Sequence, residues 1–157
     1  MEPTLTSYLA HHNIQYKEFT HPAVFTVEES REIKKTLPGM QSKNLFLKSK
    51  GKFYLYTLST EDRLDIKALK KHLKVKDLQF ASPQELKEEL SLTPGSVSIF
   101  GMIHAKNTHL MIDKKIWEAE QAGFHPNINT ATLILTHTEL EKFCSTLTTS
   151  WEVVNLA

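Results

Sequence analysis

The most informative pattern of apolar and polar positions lies in residues 37–58, which read LPGMQSKNLFLKSKGKFYLYTL. Two apolar-rich runs, residues 44–47 and 53–58, flank the polar segment KSKGK, whose glycine is typical of a hairpin turn. Both runs are too apolar for a half-exposed ribbon, so they predict two central strands of a sheet. Lys43 and Asn44 stand at the start of the first strand. They predict a basic side chain at the rim of the sheet, where it either holds an anion or is simply solvated.

The rest of the chain predicts further helices and strands in an irregular order. Capping signals predict the starts of helices at Thr4 or Thr6, Thr26, Asp65, Ser82, and His137 or Thr138. These helices extend to about residues 12, 35, 73, 90 and 147, with a short helix at 114–118 and strands at 16–19, 78–81, 108–112, 131–136 and 151–156. Residues 20–25, 93–98 and 123–127 are predicted loops. Without a βαβ rhythm or a repeat, the pattern favours an α/β fold (mixed α+β), a mixed sheet with helices packed around it.

Length and composition predict a single domain over residues 1–157. The chain is 40% hydrophobic and 24% charged, as in an ordinary globular protein. It has no apolar run of membrane-spanning length, and its first residues lack the layout of a signal peptide. The one cysteine, Cys144, has Leu140, Phe143 and Leu147 at helical spacing, which predicts a buried thiol. We therefore expect a cytoplasmic protein that does not associate with membranes.

Charge is distributed unevenly along a chain whose formal net charge is only +1. Residues 31–76 carry 13 Lys and Arg against 4 Asp and Glu, whereas residues 1–30 carry 1 against 4 and residues 77–157 carry 5 against 10. Lys67, Lys70, Lys71 and Lys74 fall on one face of a predicted helix. This face is either a binding surface for a polyanion such as nucleic acid or an ordinary solvated helix face.

Motifs of several common enzyme classes are absent from the sequence. It contains no GxxxxGK[ST], GxGxxG, GxSxG or HExxH segment. His21, His104, His109 and His125 are candidate loop ligands for a metal, but they lack ligand spacing and a cysteine partner. We therefore expect no metal and no cofactor. The residues alone predict an α/β domain with a basic face and three polar loops.

Four segments carry a resemblance to a known family. They are THPAVFTVEES (20–30), SKNLFLK (42–48), FASPQELKEELSLTPGSVSIF (80–100) and FHPNINTAT (124–132). Together, in this order, they resemble the YbaK/ProX superfamily of freestanding aminoacyl-tRNA editing domains. The chain is most similar to the PrdX-like branch (ProXp-ala), whose members deacylate alanyl-tRNA(Pro).

The resemblance implies roles for two groups of residues that would act on the ester. Lys43 corresponds to a lysine essential in the family, and His125 corresponds to a histidine that shapes the aminoacyl pocket. Lys43 would hold the 3′-terminal phosphate or ribose, and His125 would form a pocket wall or hold a water. The segment Gly95, Ser96, Val97 and Ser98 matches the GxxxP loop of the family, whose backbone N–H groups could stabilise the oxyanion.

The resemblance also implies a substrate pocket, with two departures from the family pattern. Phe25, Val27 and His125 would form its walls, and Asn44, Val97 and Ser98 would contact the substrate. Ile99 stands where the loop motif has proline, and residues 102–107 lack the expected Asn-Asp pair. A more flexible loop at Ile99 could widen the pocket.

The implied activity is trans-editing, the hydrolysis of mischarged Ala-tRNA(Pro) to alanine and tRNA(Pro) by a monomer. Its partners would be the aminoacylated 3′ end of tRNA and prolyl-tRNA synthetase. A synthetase built for proline cannot strongly reject the smaller alanine, so a second pocket that excludes proline removes the error. The alternatives are editing of Cys- or Ser-charged tRNA, a noncatalytic tRNA-binding module, and a metal-dependent hydrolase of small esters.

Overall fold

The fold is described from a computed structural model that covers residues 2–23 and 27–156. The first half of the chain contains α1 (Pro3–His11), β1 (Lys17–Thr20), α2 (Val27–Lys35), β2 (Met40–Ser49), β3 (Lys52–Ser59), α3 (Ile66–Leu73), β4 (Gln79–Phe80) and α4 (Pro83–Leu90). The second half contains a 3-10 helix (Ile99–His104), β5 (Thr108–Asp113), α5 (Lys114–Glu118), β6 (Gln121–Phe124), β7 (Ala131–Thr136), α6 (His137–Ser145) and β8 (Trp151–Val154). No helix in the described ranges is long and apolar enough to cross a membrane.

The strands form one mixed sheet of eight strands in the order β1-β7-β6-β2-β3-β5-β8, and β4 pairs with β2 beside this path. Neighbours β1–β7, β7–β6, β2–β3 and β2–β4 are antiparallel, whereas β6–β2, β3–β5 and β5–β8 are parallel. Helices cover the sheet, and the predicted mixed α/β architecture is confirmed.

The central hairpin is confirmed, with an earlier start than its apolar run predicted. Strand β2 begins at Met40, because Met40 and Gln41 pair with β6 before the pairing with the hairpin partner β3 starts at Ser42. Lys43 consequently lies inside the strand rather than at its beginning. Lys50 and Gly51 form the turn with φ angles of 50° and 79°. Two positive φ angles in a two-residue turn are typical of the type I′ hairpin, whose twist matches that of the strands.

Helix starts agree with the capping signals at two positions and differ at two. Asp65 caps α3 by accepting the Ala68 N–H at 2.9 Å, and Ser82 forms a capping box with Glu85 at the start of α4. The α1 cap is Glu2 rather than one of the threonines that follow it, and the α6 cap is Thr136, before the predicted residues. The predicted cap Thr26 lies outside the described residues.

Two elements differ from the sequence-based expectation. Residues 121–124 form β6, although the sequence predicts a loop at 123–127, and residues 99–104 form the 3-10 helix. The sequence QAGF is a weak strand signal by itself, and β6 forms because it pairs with β7 on one side and β2 on the other.

The sheet separates two apolar clusters. The larger cluster includes residues of α1, α4 and α6, the 3-10 helix and one face of the sheet, and the smaller one joins the other face to α3 through Leu69. Cys144 is buried in the larger cluster beside Leu140 and Phe143, as predicted. Burial raises the pKa of the Cys144 thiol to about 12, so it stays protonated and unreactive at neutral pH.

Candidate functional site

The candidate site is a gap in the sheet between β6 and β4, along one edge of β2. Strand β6 pairs with β2 only at Met40–Gln41, and β4 pairs with it only at Leu47–Lys48. Between these points, residues 42–46 have no strand partner on that edge within the described part of the chain. Ser42 lies at the end of the gap where β6 pairs with β2, and its Oγ donates a hydrogen bond to the Gly123 carbonyl oxygen at 2.6 Å. The gap exposes a short length of β2 in the middle of the sheet.

Strand register brings Lys43 and His125 to opposite sides of this gap. Gln41 pairs with Gly123 in the parallel β2–β6 ladder. Continuing that register by two residues brings His125 level with Lys43, and strand alternation places both on the face occupied by the Gln41 side chain. Both side chains are half-buried. The register therefore places the two residues singled out by the resemblance at matching positions on either side of the gap.

His125 presents a neutral imidazole to the gap. Its Nδ1 lies 3.2 Å from the Ala131 carbonyl oxygen, which can only accept, so Nδ1 carries the proton and Nε2 has a free lone pair. Burial lowers the pKa of His125, and the charges of Lys34 and His21 lower it further against the effect of the Ala131 hydrogen bond. At neutral pH, Nε2 is thus a hydrogen-bond acceptor.

Lys34 is a second cation at the site that sequence reasoning missed. It lies in the last turn of α2 and is half-buried. Burial lowers the pKa of Lys34 and the charge of Lys43 lowers it further, whereas Glu61 opposes both effects. The excess of basic residues between 31 and 76 was the available signal, but only the fold shows which of them meet.

His21 borders the same site from the loop after β1. Its ring packs edge-on against the ring of His125, with centroids 6.5 Å apart. Nδ1 lies 3.0 Å from the Pro22 carbonyl and Nε2 lies 3.1 Å from Thr132 Oγ1, so Nδ1 donates and Nε2 accepts. Both ring nitrogens are already engaged, which makes His21 a support for His125.

The loop at residues 95–98 is tied to the end of β6 through the 3-10 helix that follows it. Ser98 is fully buried, and its Oγ accepts the Phe100 N–H at 3.2 Å. The Phe100 ring packs edge-on against Phe124, the residue before His125, at 6.0 Å. The Ser98 side chain is buried and Val97 packs against the larger apolar cluster, so both side chains face inward. Their contact with the substrate stays a prediction.

The outer part of that loop is open. Gly95 is exposed with a φ of +91°, and a Cβ built on it would meet nothing within 4 Å. The Ser96 N–H donates to the Thr93 carbonyl at 3.1 Å and closes the turn. An oxyanion would therefore be stabilised by the other amides of the loop rather than by that of Ser96.

Asn44 lies beside Lys43 but on the opposite face of β2, because successive side chains of a strand alternate. Its Oδ1 is buried and has no hydrogen-bond partner among the described residues. Buried polar atoms nearly always have a partner, so this oxygen is a candidate ligand contact. Of the predicted wall residues, Phe25 lies outside the described residues, and so does the side chain of Val27, which begins α2.

The four lysines of the predicted basic face project from α3 or its end. Lys67, Lys71 and Lys74 are exposed and Lys70 is half-buried. None of them forms an ion pair in the described ranges. Helix α3 packs through Leu69 on the cluster that contains Leu47, so it covers the same face of the sheet as Lys43.

The other two histidines considered as loop ligands for a metal, His104 and His109, do not lie in loops. His104 lies in the 3-10 helix, and His109 lies in β5, where Nε2 contacts Glu152 and Nδ1 contacts Ser150 Oγ at 2.7 Å. Glu152 also contacts His72 at 3.0 Å. Within residues 2–23 and 27–156, no group of three or more His, Cys, Asp or Glu side chains could hold a metal ion.

Two clefts of the surface lie outside the gap. One of about 500 Å³ runs between β1 and α2 and includes His21 and Ile33 in its lining. Another of about 390 Å³ lies near Tyr56 and Asp113. Neither includes Lys43 or His125 in its lining, and the first cleft reaches the site through His21.

A mixed α/β domain whose sheet opens around two lysines and a neutral histidine defines a protein suited to hold an anionic ligand. Comparison with known proteins names the family. Residues 21–143 match the aminoacyl-tRNA editing domain, and the chain belongs to this family. The resemblance to the YbaK/ProX superfamily is thereby confirmed.

Several relatives carry names that refer to prolyl-tRNA. The prolyl-tRNA editing protein ProX of Acetoanaerobium sticklandii is 31% identical over 147 residues, which are 91% of this chain and 90% of that protein. The prolyl-tRNA synthetase associated domain-containing protein 1 of Xenopus laevis is 34% identical over 146 residues, 88% of this chain and 87% of that protein.

Solved structures share the fold at lower identity. A crystal structure provisionally described as a trans-editing enzyme for prolyl-tRNA synthetase superposes with a TM-score of 0.78 at 19% identity, covering 99% of this chain and 97% of its own. At this identity the match supports the fold alone.

Proposed function

We propose that this protein is a trans-editing aminoacyl-tRNA deacylase that hydrolyses alanyl-tRNA(Pro) to alanine and free tRNA(Pro). The observation that carries the proposal is the gap in the sheet where Lys43, Lys34 and neutral His125 meet in a chain of the editing family. Relatives named for prolyl-tRNA editing and for association with prolyl-tRNA synthetase support tRNA(Pro) as the partner. The domain, residues 1–157, would act as a cytoplasmic monomer that meets the synthetase.

Lys43 binds the 3′ end of the tRNA in this proposal. Its ammonium is a compact point charge on a flexible stem, suited to a phosphate or ribose oxygen. Lys34 strengthens the positive potential at the same opening. The exposed lysines of α3, on the same face of the sheet, would contact the acceptor stem and make binding salt-dependent.

Hydrolysis then requires little further chemistry, because an aminoacyl ester is already activated. A water adds to the ester carbonyl carbon, and the bond from that carbon to the ribose oxygen breaks. The ribose hydroxyl leaves with a proton, and the carboxylate of alanine is released. The protein positions the water and stabilises the oxyanion, for which backbone N–H groups at Gly95 and Val97 are candidates.

His125 Nε2 fits a positioning role in this reaction. As a neutral acceptor it can take a hydrogen bond from the attacking water or from the 2′-hydroxyl of the terminal ribose. An obligatory protein base is not needed, since the 2′-hydroxyl can assist. His125 would also form a wall of the alanine pocket with Phe25 and Val27, and exclusion of the larger proline ring would supply the selectivity.

The test is single-turnover deacylation of alanyl-, seryl-, cysteinyl- and prolyl-tRNA, each with and without a chelator. We expect alanyl-tRNA(Pro) to be cleaved fastest, prolyl-tRNA(Pro) to be spared, and the chelator to have no effect. A preference for the cysteinyl or seryl ester would refute the alanyl assignment within the same family. Binding of tRNA without cleavage of any ester would make the protein a noncatalytic module, and loss of activity with chelator would indicate a metal-dependent hydrolase.

A further inference from the structure

Phe80 is an exposed aromatic side chain with no structural role in the core. It is 63% exposed, and the other large hydrophobic residue that is exposed in the described ranges, Val153, reaches only 37%. A single exposed apolar residue is ordinary on a protein surface. Its position relative to the gap therefore decides what Phe80 can do.

Strand pairing places Phe80 on the same face and edge as Lys43. Phe80 lies directly opposite Leu47 in the antiparallel β2–β4 pair, so the two side chains share a face. Lys43 precedes Leu47 by four residues and shares that face by alternation. Four residues of strand span ~13 Å. Phe80 thus lies at the end of the gap where β4 pairs with β2, and Lys43 lies within the gap.

The segment that leads to Phe80 contains two exposed lysines. The chain that enters β4 carries exposed Lys74 and Lys76, with Asp77 as the acidic residue between them and the strand. Lys48, opposite Gln79, is neutralised by Glu85 at 2.8 Å. An exposed aromatic ring that follows two exposed lysines in the chain and shares a strand face with Lys43 has the composition of a platform for single-stranded nucleic acid.

We propose that Phe80 is a stacking platform for an unpaired nucleotide of the tRNA 3′ end, upstream of the nucleotide held by Lys43. This inference rests on the proposed function in taking Lys43 as the contact to the terminal nucleotide. A stacked strand advances ~3.4 Å per nucleotide and an unstacked one advances further, so ~13 Å corresponds to about four nucleotides or fewer. Phe80 is therefore within reach of the CCA end. Stacking on an aromatic ring is the usual way in which proteins hold such unpaired bases.

The experiment measures binding of uncharged tRNA(Pro) and of the same tRNA without its CCA end. Phe80→Ala should weaken binding of the intact tRNA about fivefold or more, as expected for removal of one base stack, and should not change binding of the truncated tRNA. Phe80→Tyr should bind as wild type does, because it keeps the ring. Val153→Ala is the matched control, an exposed apolar residue on β8 whose truncation should change neither affinity.

A spectroscopic signal reports the stack itself. A tRNA with 2-aminopurine at the position before the terminal adenosine, or at the one before that, should lose fluorescence when bound to wild type and keep it when bound to Phe80→Ala. Phe80→Leu, which keeps an apolar side chain without a π face, should behave as alanine does and covers the case in which the alanine variant fails to fold.

Three results would overturn the proposal. They are unchanged affinity of Phe80→Ala for intact tRNA, equal losses of affinity with intact and truncated tRNA, and loss of binding to prolyl-tRNA synthetase in the absence of tRNA. The last result would make Phe80 a protein contact. Because the tRNA is uncharged, failure to cleave any ester leaves this test standing, and active deacylation with an unaffected Phe80→Ala variant would refute the platform alone.

Discussion

Replacing Gly39 with alanine tests whether the close approach of β2 and β6 determines the geometry of the gap. Gly39 has a φ of +79°, and a Cβ built on it would lie 2.6 Å from the Gln121 carbonyl oxygen and 2.8 Å from the Gln121 Cβ. Gly51, in the hairpin turn, has the same φ of +79° but nothing within 4 Å of the built Cβ. The two glycines differ only in what an added methyl group would meet.

The magnitudes separate the two contributions. A left-handed backbone costs an L-residue ~1–2 kcal/mol, and the reduced entropy of the unfolded chain offsets ~0.4–1 kcal/mol of this. Gly51→Ala should therefore destabilise the protein by ~0–1.6 kcal/mol. Gly39→Ala adds overpacking of ~1–3 kcal/mol, because its nearest neighbour is backbone and β6 must move. We therefore expect Gly39→Ala to lower the free energy of unfolding by ~1–3 kcal/mol more than Gly51→Ala does.

Urea unfolding measures both free energies, and single-turnover cleavage of alanyl-tRNA measures the effect on the site. A displaced β6 moves His125, which follows its last residue, so Gly39→Ala should cleave more slowly while Gly51→Ala keeps the wild-type rate. Equal destabilisation of the two variants would show that the approach at Gly39 is not tight. A wild-type rate in a destabilised Gly39→Ala protein would show that the β2–β6 junction does not position the site.

Further predictions concern charge and protonation at the site. Lys43→Ala should melt as wild type does but cleave alanyl-tRNA at least tenfold more slowly, since a charge-assisted hydrogen bond contributes ~1.5–3 kcal/mol; full turnover would refute its role. The double variant with Lys70→Glu and Lys74→Glu should bind tRNA more weakly. In a plot of log affinity against log salt concentration, its slope should be shallower by ~0.7–0.9 for each phosphate that is no longer neutralised. Lys106→Glu, an exposed lysine on another loop, is the control, and an unchanged slope in the double variant would make α3 a solvated face. Folding lowers the pKa of His125, so the unfolded chain binds more protons once the pH falls below ~6.5 and stability should fall there. In His125→Gln, unfolding compared at pH ~7.5 and ~5.5 should show a smaller fall than in wild type, and an equal fall would contradict the lowered pKa.

Local signals in the sequence were enough to predict most helices and strands. The hairpin, the Asp65 cap and the Ser82 capping box depend on residues that are close in sequence, and all three are confirmed. Strand β6 could not be predicted in this way. Its four residues include a glycine, and they form a strand because two neighbouring strands supply partners from elsewhere in the chain.

The same distinction applies to the candidate site. Lys43 and His125 were identified through their motifs, whereas the gap between them follows from the points at which β6 and β4 stop pairing with β2. Lys34 shows the difference most clearly. On the sequence it is one of many basic residues, and its proximity to Lys43 depends on how α2 crosses the end of the sheet, which no local pattern encodes.

The proximity of Lys34 to Lys43 has a physical consequence for binding. Lys34 is half-buried, and both its burial and the charge of Lys43 lower its pKa. In the proposed function, a phosphate held by Lys43 would offset the repulsion that Lys34 experiences, so part of the cost of placing the two lysines together would be recovered when a tRNA end binds. A neutral aminoacyl ester without its nucleotide cannot supply that compensation. We therefore expect recognition at this gap to depend on the phosphate and ribose of a tRNA end as well as on the amino acid, so a small aminoacyl ester without the nucleotide should be a poor substrate.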